Sequence, residues 1–472
     1  MRLMEGIFIG AEVLLVAWLL ATEDFSPIGL LFLTTVAAVA HVSVLVRNWP
    51  LGAMSVLVIS SAMPRFKDTL FSLHVRPEHV AIASVVLVVF LQMARGRIKA
   101  ITTLKTFDYF LIAYILLNFF SSAITSPQPP LTLRWATLSA VAIVPYFLVR
   151  LLIRNERTLY RVLHVLLWVG AAEAVYGIAS FLSNQVFNTA FGMELDQYGF
   201  FPGTYGTQYE ANLFGSYTAC CAIMFLAFFL LDHQSGRARY AWGFAVTALG
   251  ALISLARSVL VAFPFAALVV LWMAFKRGRF KVRSLVPLML GVALLLFAMG
   301  PLILNLVRER FSTIDIAQLS DDPTTWERLV QVAAAVEDIK AHPLLGTGTA
   351  SFHLFFDPSD YPEGFAGDAD EPGWISNTPL RILHDTGAVG LIVFLSFLAC
   401  LAIAVRKVLR KALERNVAVL AALSGGLVLY AITFQASEAT MLAFTWLHLG
   451  LLANAVPILQ EGSVGLDGVE GK

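Results

Sequence analysis

Fourteen apolar runs divide the chain, and most are close to the roughly 20 residues that a helix needs to cross a bilayer. Such runs are stable in lipid only as helices, because the bilayer core offers no water to unpaired backbone groups. The composition agrees, since 58% of the 472 residues are hydrophobic and only 14% are charged. These values exclude a soluble enzyme, a disordered chain and a nucleic-acid binder. We therefore predict an all-α, polytopic integral membrane protein with about 12–14 transmembrane helices.

Polar or charged residues bound each run. The runs lie at 5–21, 27–46, 50–63, 79–94, 107–124, 132–150, 160–183, 211–231, 240–256, 258–275, 285–306, 387–405, 417–434 and 440–459. The third run is short and the ninth and tenth nearly touch, so these could form broken or re-entrant elements. Glu12 interrupts the first run and no small-residue cleavage site follows it, so we expect a membrane span there and not a cleaved signal peptide.

Basic residues alternate between the two sets of connections. If the N-terminus is cytoplasmic, 23 of the 33 Lys and Arg residues fall inside and 10 fall outside. Cytoplasmic loops of membrane proteins carry such an excess of Lys and Arg. The sequence therefore predicts that both termini are cytoplasmic, and the net charge of +1 identifies no charged partner.

Four parts follow from this division of the chain. Residues 1–306 hold transmembrane helices 1–11, 307–386 form a long periplasmic loop, 387–459 hold transmembrane helices 12–14, and 460–472 form a disordered cytoplasmic tail. The loop carries 14 acidic and 5 basic residues, a net charge of −9 with histidine neutral. Loops of this length are usually functional or act as linkers.

Part of the loop has a helical pattern. Thr324 and Glu327 form a capping box, and the apolar residues that follow predict an amphipathic helix over 325–341. Its apolar stripe comprises Trp326, Leu329, Val332, Val336 and Ile339, and its opposite face comprises Arg328, Ala335 and Asp338. The glycine turn after Pro343 has backbone amides that could approach an anion. The acidic stretch 357–371 is expected to be solvated; a cation site there stays open, and we predict no metal site.

Four stretches resemble, in the expected order, motifs of the O-antigen ligase and polymerase superfamily. They are Gly203-Thr204-Tyr205-Gly206 with Ala211-Asn212-Leu213, Ser254-Leu255-Ala256-Arg257-Ser258, Arg328 with Ala335 and 343–348, and Ser376-Asn377 with Leu380, Leu383, Asp385, Gly387, Gly390 and Leu391. One departure concerns Ser376, which stands where the family often places histidine. His384 is the nearest histidine, but along a helix it lies about 12 Å and an 80° turn away.

The resemblance implies a GT-C-like membrane glycosyltransferase of the bacterial inner (plasma) membrane. The implied reaction is inverting and needs no metal or other cofactor. The implied partners are a polyprenyl (undecaprenyl) diphosphate-linked glycan donor and acceptor and the membrane lipid, with a chain-length regulator as an optional further partner. We favour a polymerase of lipid-linked repeat units, because the family histidine is missing. A ligase that passes the finished glycan to lipid A core or protein stays open, as does a flippase or other transporter.

Three residues are the predicted catalytic groups. Transfer from a lipid diphosphate builds negative charge on the leaving group, and arginine binds phosphate oxygens in pairs. Arg257, at the outer end of a span, and Arg328, on the loop helix, are the candidates for this role. Arg257 could instead reach the membrane interface, and Arg328 could form a surface salt bridge. Glu210 is the first candidate for the base that deprotonates the acceptor hydroxyl.

Further candidates are predicted to bind substrate. They are Asn212, Ser376, Asn377, Asp385 and Arg134. Asn377 and Asp385 could cap helices instead. Glu438 and His384 are secondary candidates for the base. Glu173 lies inside a predicted span, where it could face an internal groove or pair with a neighbour.

Overall fold

The structure is a computed structural model, and it describes residues 49–65, 68–70, 73–94, 96, 104–189, 191–195, 202–232, 237–278, 323–355, 375–412, 414–438 and 440–464. Three predicted spans, at 5–21, 27–46 and 285–306, lie outside the described residues. The acidic stretch 357–371 also lies outside them.

Helices account for most of the described residues. They are α1 (Trp49–Ser61), α2 (Pro77–Ala94), α3 (Thr106–Ile124), α4 (Pro129–Leu152), α5 (Glu156–Phe187), α6 (Ala211–Leu231), α7 (Arg237–Ile253), α8 (Arg257–Lys276), α9 (Pro323–Ala341), α10 (Phe352–Phe355), α11 (Thr378–Lys411), α12 (Glu414–Thr433) and α13 (Ala443–Val464). The described strands form two antiparallel pairs, β1 (Asp68–Leu70) with β2 (Leu73–Val75) and β3 (Met193–Leu195) with β4 (Pro202–Thr204).

Nine helices in the described part of the chain are long and apolar enough to cross a membrane. They are α2 to α6, α8, and α11 to α13, and each coincides with a predicted run. The prediction of an all-α polytopic membrane protein is confirmed. The short third run corresponds to α1, and the ninth and tenth runs correspond to α7 and α8, which only residues 254–256 separate.

Helix α6 lies at the centre of the bundle. Every residue from Leu213 to Leu231 is buried, and α5, α7, α8 and α12 pack around it. A helix that is apolar on all sides is expected to be buried in this way. Small residues allow the close packing, since a Cβ on Gly170 of α5 would lie 2.2 Å from the Cys221 sulfur. The outer helices instead expose large apolar side chains, such as Phe90 and Phe275, as expected for surfaces that face lipid.

Connections that the charge pattern places on one side of the membrane meet at one end of the bundle. We call it the loop end, because residues 343–351 lie there. Contacts at this end join the Thr207 hydroxyl to the Ala62 carbonyl, Arg76 to the Met441 carbonyl, and the Thr378 amide to the Phe434 carbonyl. The ends of α1 and α12 and the starts of α2, α6, α11 and α13 therefore meet at the loop end, as the predicted order of spans requires.

Two helix boundaries differ from the predicted ones. Helix α11 begins at Thr378, whereas the predicted span begins at 387, because Asn377 caps a helical stretch that precedes the apolar run. Helix α13 continues through Pro457 to Val464, so the predicted disordered tail from 460 is wrong for its first residues. Residues 465–472 lie outside the described part.

The loop helix α9 matches its predicted bounds, but its buried face is the opposite of the predicted one. The apolar residues Leu329, Val332 and Val336 are 46%, 40% and 36% exposed. The buried residues are Val330, Gln331 and Ala335. The reason is the size of Ala335, which lets the helix approach Phe352 and Ile375 closely and form a small apolar cluster with them.

Candidate functional site

The glycine turn after α9 inserts into a break in α11. At Gly387 the backbone adopts φ 66° and ψ −171°, which a helix cannot continue. In a regular helix the amides of 388 and 389 would bond to the carbonyls of 384 and 385. The turn supplies partners to all four groups, and we call residues 343–348 with 384–389 the turn–kink junction. Its bonds are Ala388 N–H to Pro343 O (2.9 Å), Val389 N–H to Leu344 O (3.2 Å), Thr347 N–H to His384 O (3.0 Å) and Gly348 N–H to Asp385 O (3.0 Å).

The predicted role of the turn amides in anion binding is wrong. The amides from Gly346 to Ala350 already donate to acceptors within the protein. Besides the two bonds above, these are Gly346 N–H to His342 O, Thr349 N–H to Ser122 Oγ and Ala350 N–H to Asp385 Oδ2. The turn therefore organises the loop end rather than an anion site.

A buried charge cluster lies beneath the turn. Arg381 contacts the Glu438 carboxylate at 2.9 Å and the Asp385 carboxylate at 3.4 Å, and all three side chains are at most 7% exposed. The Ala350 amide also donates to Asp385. Asp385 thus has its oxygens engaged by donors of the protein, and the alternative that it caps α11 does not hold, since Asn377 is the cap. Its predicted role in substrate binding stays a prediction.

His384 extends this cluster to the loop helix. Its Nδ1 lies 3.0 Å from an Asp385 oxygen, and its Nε2 lies 3.2 Å from an Asp338 oxygen. Through these two contacts His384 holds α9 against α11. If both carboxylates are ionised, each ring nitrogen donates a proton to one of them. The role of His384 as a secondary candidate for the base stays a prediction.

A small polar cavity adjoins the charge cluster. Its lining includes Tyr114, Asn118, Ser139, Thr349, Arg381, Asp385 and Thr440. The arginine already faces two carboxylates, so the cavity has no excess of positive charge to bind a diphosphate. Hydroxyl and amide groups suit a small hydroxyl-bearing group instead.

A second group of predicted residues lies at the loop end around residues 203–209, which we call the pinned segment. The Thr207 amide donates to Glu173 Oε1 at 2.8 Å, and the Gln208 side chain donates to the Ala62 carbonyl at 2.8 Å. The Arg65 guanidinium stacks 3.6 Å from the centre of the Tyr205 ring. The pairing alternative for Glu173 is therefore the correct one.

Arg76 connects the pinned segment to the charge cluster. It pairs with Glu78 at 2.9 Å, lies 5.8 Å from the centre of the Tyr209 ring and donates to the Met441 carbonyl. Met441 follows Thr440, whose amide donates to Glu438 at 2.7 Å. The pinned segment and the charge cluster therefore both lie at the loop end of the bundle.

Arg257 is the first residue of α8, and Ser254, three residues before it, lies beside the pinned segment. The Ser254 carbonyl is 3.6 Å from the position that a Cβ on Gly203 would take. Leu255 adopts φ 53°, a conformation that is rare for a branched side chain. A cation at a helix N-terminus also opposes the helix dipole, by roughly 0.3–1 kcal/mol. Backbone strain directly before this helix start favours a binding role over a structural one.

One comparison with known proteins found a match. Residues 242–395 match a family model described as O-antigen ligase. This part of the chain is therefore similar to the O-antigen ligase family. No curated protein matches the chain. The matched residues include Arg257, α9, the turn–kink junction and the start of the apolar part of α11, so the predicted resemblance is confirmed and membrane polysaccharide assembly is supported.

The structure distributes the other predicted site residues over the loop end. Glu210 is exposed at the N-cap of α6, and Asn212 follows it in the first turn. Arg134 is exposed on α4, and Arg328 is partly exposed on α9. Ser376 contacts α9 through its amide, which donates to Gln331.

Sequence reasoning missed Arg381, the centre of the charge cluster. It was counted only as one of the external basic residues. The available signal was its spacing, since residues four apart on a helix are neighbours and Arg381 precedes Asp385 by four.

Replacing Gly206 by alanine is expected to loosen the pinned segment. Gly206 has φ 57°, and a Cβ there would lie 2.4 Å from Glu173 Oε1. Left-handed strain and the clash together predict a loss of roughly 2–4 kcal/mol in the free energy of unfolding. Thermal unfolding in detergent measures the loss. Gly96→Ala is the control, because Gly96 has φ 69° and no atom of the described part of the chain lies within 4 Å of its Cβ position. An equal loss in both variants would contradict the predicted clash.

Proposed function

We propose that the protein is a membrane glycosyltransferase that polymerises polyprenyl-diphosphate-linked repeat units at the periplasmic face of the inner membrane. The observation that carries the proposal is the position of Arg257. A cation held at a strained, dipole-opposed helix start beside the pinned segment is suited to an anionic ligand. The superfamily match over the same residues supports a lipid-linked glycan as that ligand.

In the proposed reaction, Arg257 binds the diphosphate of the donor. The acceptor hydroxyl attacks the anomeric carbon, so a new glycosidic bond forms as the bond between that carbon and the phosphate oxygen breaks. The polyprenyl diphosphate leaves with the electron pair, and the arginine stabilises its charge. We assign the hydroxyl proton to Glu210, which lies at the loop end near Asn212 and outside the charge cluster.

A ligase is the second candidate, because the matching family model is described as O-antigen ligase. Both activities use the same donor and the same leaving group. They differ in the acceptor, which is a lipid-linked repeat unit for a polymerase and lipid A core or protein for a ligase. The length of glycan on the carrier lipid after deletion of the gene separates them. Single repeat units would indicate a polymerase, and long polymers left on the carrier would indicate a ligase.

Arg257→Ala tests the proposal directly. We expect a loss of roughly 10²–10³-fold in glycan transfer by the purified protein in lipid nanodiscs, because a charge-stabilising donor is removed from the transition state. Arg157→Ala is the matched control, since Arg157 is an exposed arginine at the opposite end of the bundle. Equal activity of the two variants, with both correctly inserted, would remove Arg257 from the site.

A further inference from the structure

Glu173 is a buried carboxyl group that the proposed reaction does not use. It lies in α5 with 6% of its surface exposed. Its Oε1 accepts the Thr207 amide at 2.8 Å, and its Oε2 lies 2.7 Å from the Thr207 hydroxyl. These two contacts fasten the pinned segment to a membrane helix.

The number of hydrogens at Thr207 constrains the protonation of Glu173. The Thr207 hydroxyl oxygen lies 2.7 Å from Glu173 Oε2 and also 2.6 Å from the Ala62 carbonyl oxygen. A hydroxyl has one hydrogen, and a backbone carbonyl can only accept. If Glu173 were ionised, one of these two short oxygen–oxygen contacts would contain no hydrogen. A protonated Glu173 resolves this, because it donates to Thr207 while Thr207 donates to Ala62.

The surroundings also disfavour a negative charge. Ala62 directly follows the last turn of α1, and the carbonyl end of a helix carries a partial negative charge. Among the described residues, the titratable groups close to Glu173 are Tyr176 on its own helix and Tyr217 and Cys221 on α6. Arg65, the nearby cation, stacks on Tyr205 instead.

We propose that Glu173 is held as a neutral carboxylic acid and acts as a positioning residue, which fixes the pinned segment through Thr207. The segment leads directly to Glu210 and Asn212, so its position sets the approach of those residues to the substrate. The relevance to catalysis rests on the proposed function, whereas the protonation of Glu173 does not.

Glutamine provides the test, because its amide reproduces a protonated carboxyl group. In Glu173→Gln the amide N–H can donate to the Thr207 hydroxyl, and its oxygen can accept the Thr207 amide. The matched control is Glu78→Gln. Glu78 is equally buried at the loop end, but it pairs with Arg76 at 2.9 Å, so its charge is needed.

We expect Glu173→Gln to shift the melting temperature in detergent at neutral pH by less than about 2 °C, and Glu78→Gln and Glu173→Ala to lower it by about 4 °C or more. Raising the pH from about 5 to about 8 should destabilise the parent protein relative to Glu173→Gln, since the folded protein alone holds this proton. The infrared carbonyl band of a protonated carboxyl group should also be lost in Glu173→Gln.

A Glu173→Gln variant as unstable as Glu173→Ala would mean that an ionised carboxylate is required, and would overturn the proposal. A stable Glu173→Ala would overturn the positioning role. None of these measurements uses a glycan substrate, so their failure is distinguishable from failure of the proposed function.

Discussion

Replacing Gly387 by alanine is expected to open the turn–kink junction and lower the free energy of unfolding by roughly 3–5 kcal/mol. The backbone angles at this residue, φ 66° and ψ −171°, are accessible almost only to glycine. A Cβ would also lie 2.2 Å from the Leu344 carbonyl carbon and oxygen, and backbone atoms cannot rotate away. The turn would have to leave the kink, and the bonds that replace the helix ladder would be lost.

Gly278→Ala separates the cost of the positive φ from the cost of the steric clash. Gly278 also has a positive φ, 64°, but no atom of the described residues lies within 4 Å of its Cβ position, so the cost of the backbone conformation is tested there without the clash. We expect a loss of roughly 1–2 kcal/mol there. Unfolding in mixed detergent micelles compares the variants, and a loss at Gly387 no larger than at Gly278 would contradict the close approach of the two backbones.

Arg381→Met is the second substitution with a large expected effect. It leaves the Asp385 and Glu438 carboxylates buried without their shared cation. Breaking a buried ion pair from one side lowers the free energy of unfolding by roughly 3–5 kcal/mol. The additional changes Asp385→Asn and Glu438→Gln remove the stranded charges, so the triple variant should recover much of the loss. Denaturation of the purified proteins in detergent measures both steps.

Lys340→Met is the control for Arg381→Met. Lys340 forms an ion pair with Glu337 on the same loop helix, but the two side chains are 65% and 72% exposed. Exposed pairs contribute roughly 0–1 kcal/mol, because water screens them. Similar losses for Lys340→Met and Arg381→Met would show that the charge cluster is not a buried network.

The membrane helices were predictable because each depends on its own sequence. A run such as 211–231 is long and apolar enough to cross lipid whatever its neighbours are, and the helix has those bounds. The loop helix was equally predictable in its limits. Its buried face was not, since Ala335 is buried only because Phe352 and Ile375 lie opposite it. An apolar stripe indicates the buried side when water surrounds the helix, and this rule is weaker near a membrane.

The sequence predicts those candidate site residues that stand out by their own position in the chain. Arg257 stood out because a basic residue at an external helix end opposes the charge pattern. The roles of Glu173 and Asp385 depend on partners far along the chain, namely Thr207 and Ala350. Such long-range contacts cannot be inferred from the spacing of residues in the sequence. The same limit applies to the turn amides, whose acceptors on α11 and α3 only the fold supplies.

The turn–kink junction also determines how parts of this protein can be exchanged with those of similar proteins. Residues 343–348 and 384–389 complete each other's backbone bonds, although more than 30 residues separate them in the chain. A chimera with a border between them would join one parent's turn to the other parent's kink. It would require the glycines at both close approaches, Gly346 in the turn and Gly387 in the kink, to match. Chimera borders placed before α9 and after Gly390 would take the whole turn–kink junction from one parent. Exchanges intended to test the proposed function should therefore move the loop together with the first turns of the following membrane helix.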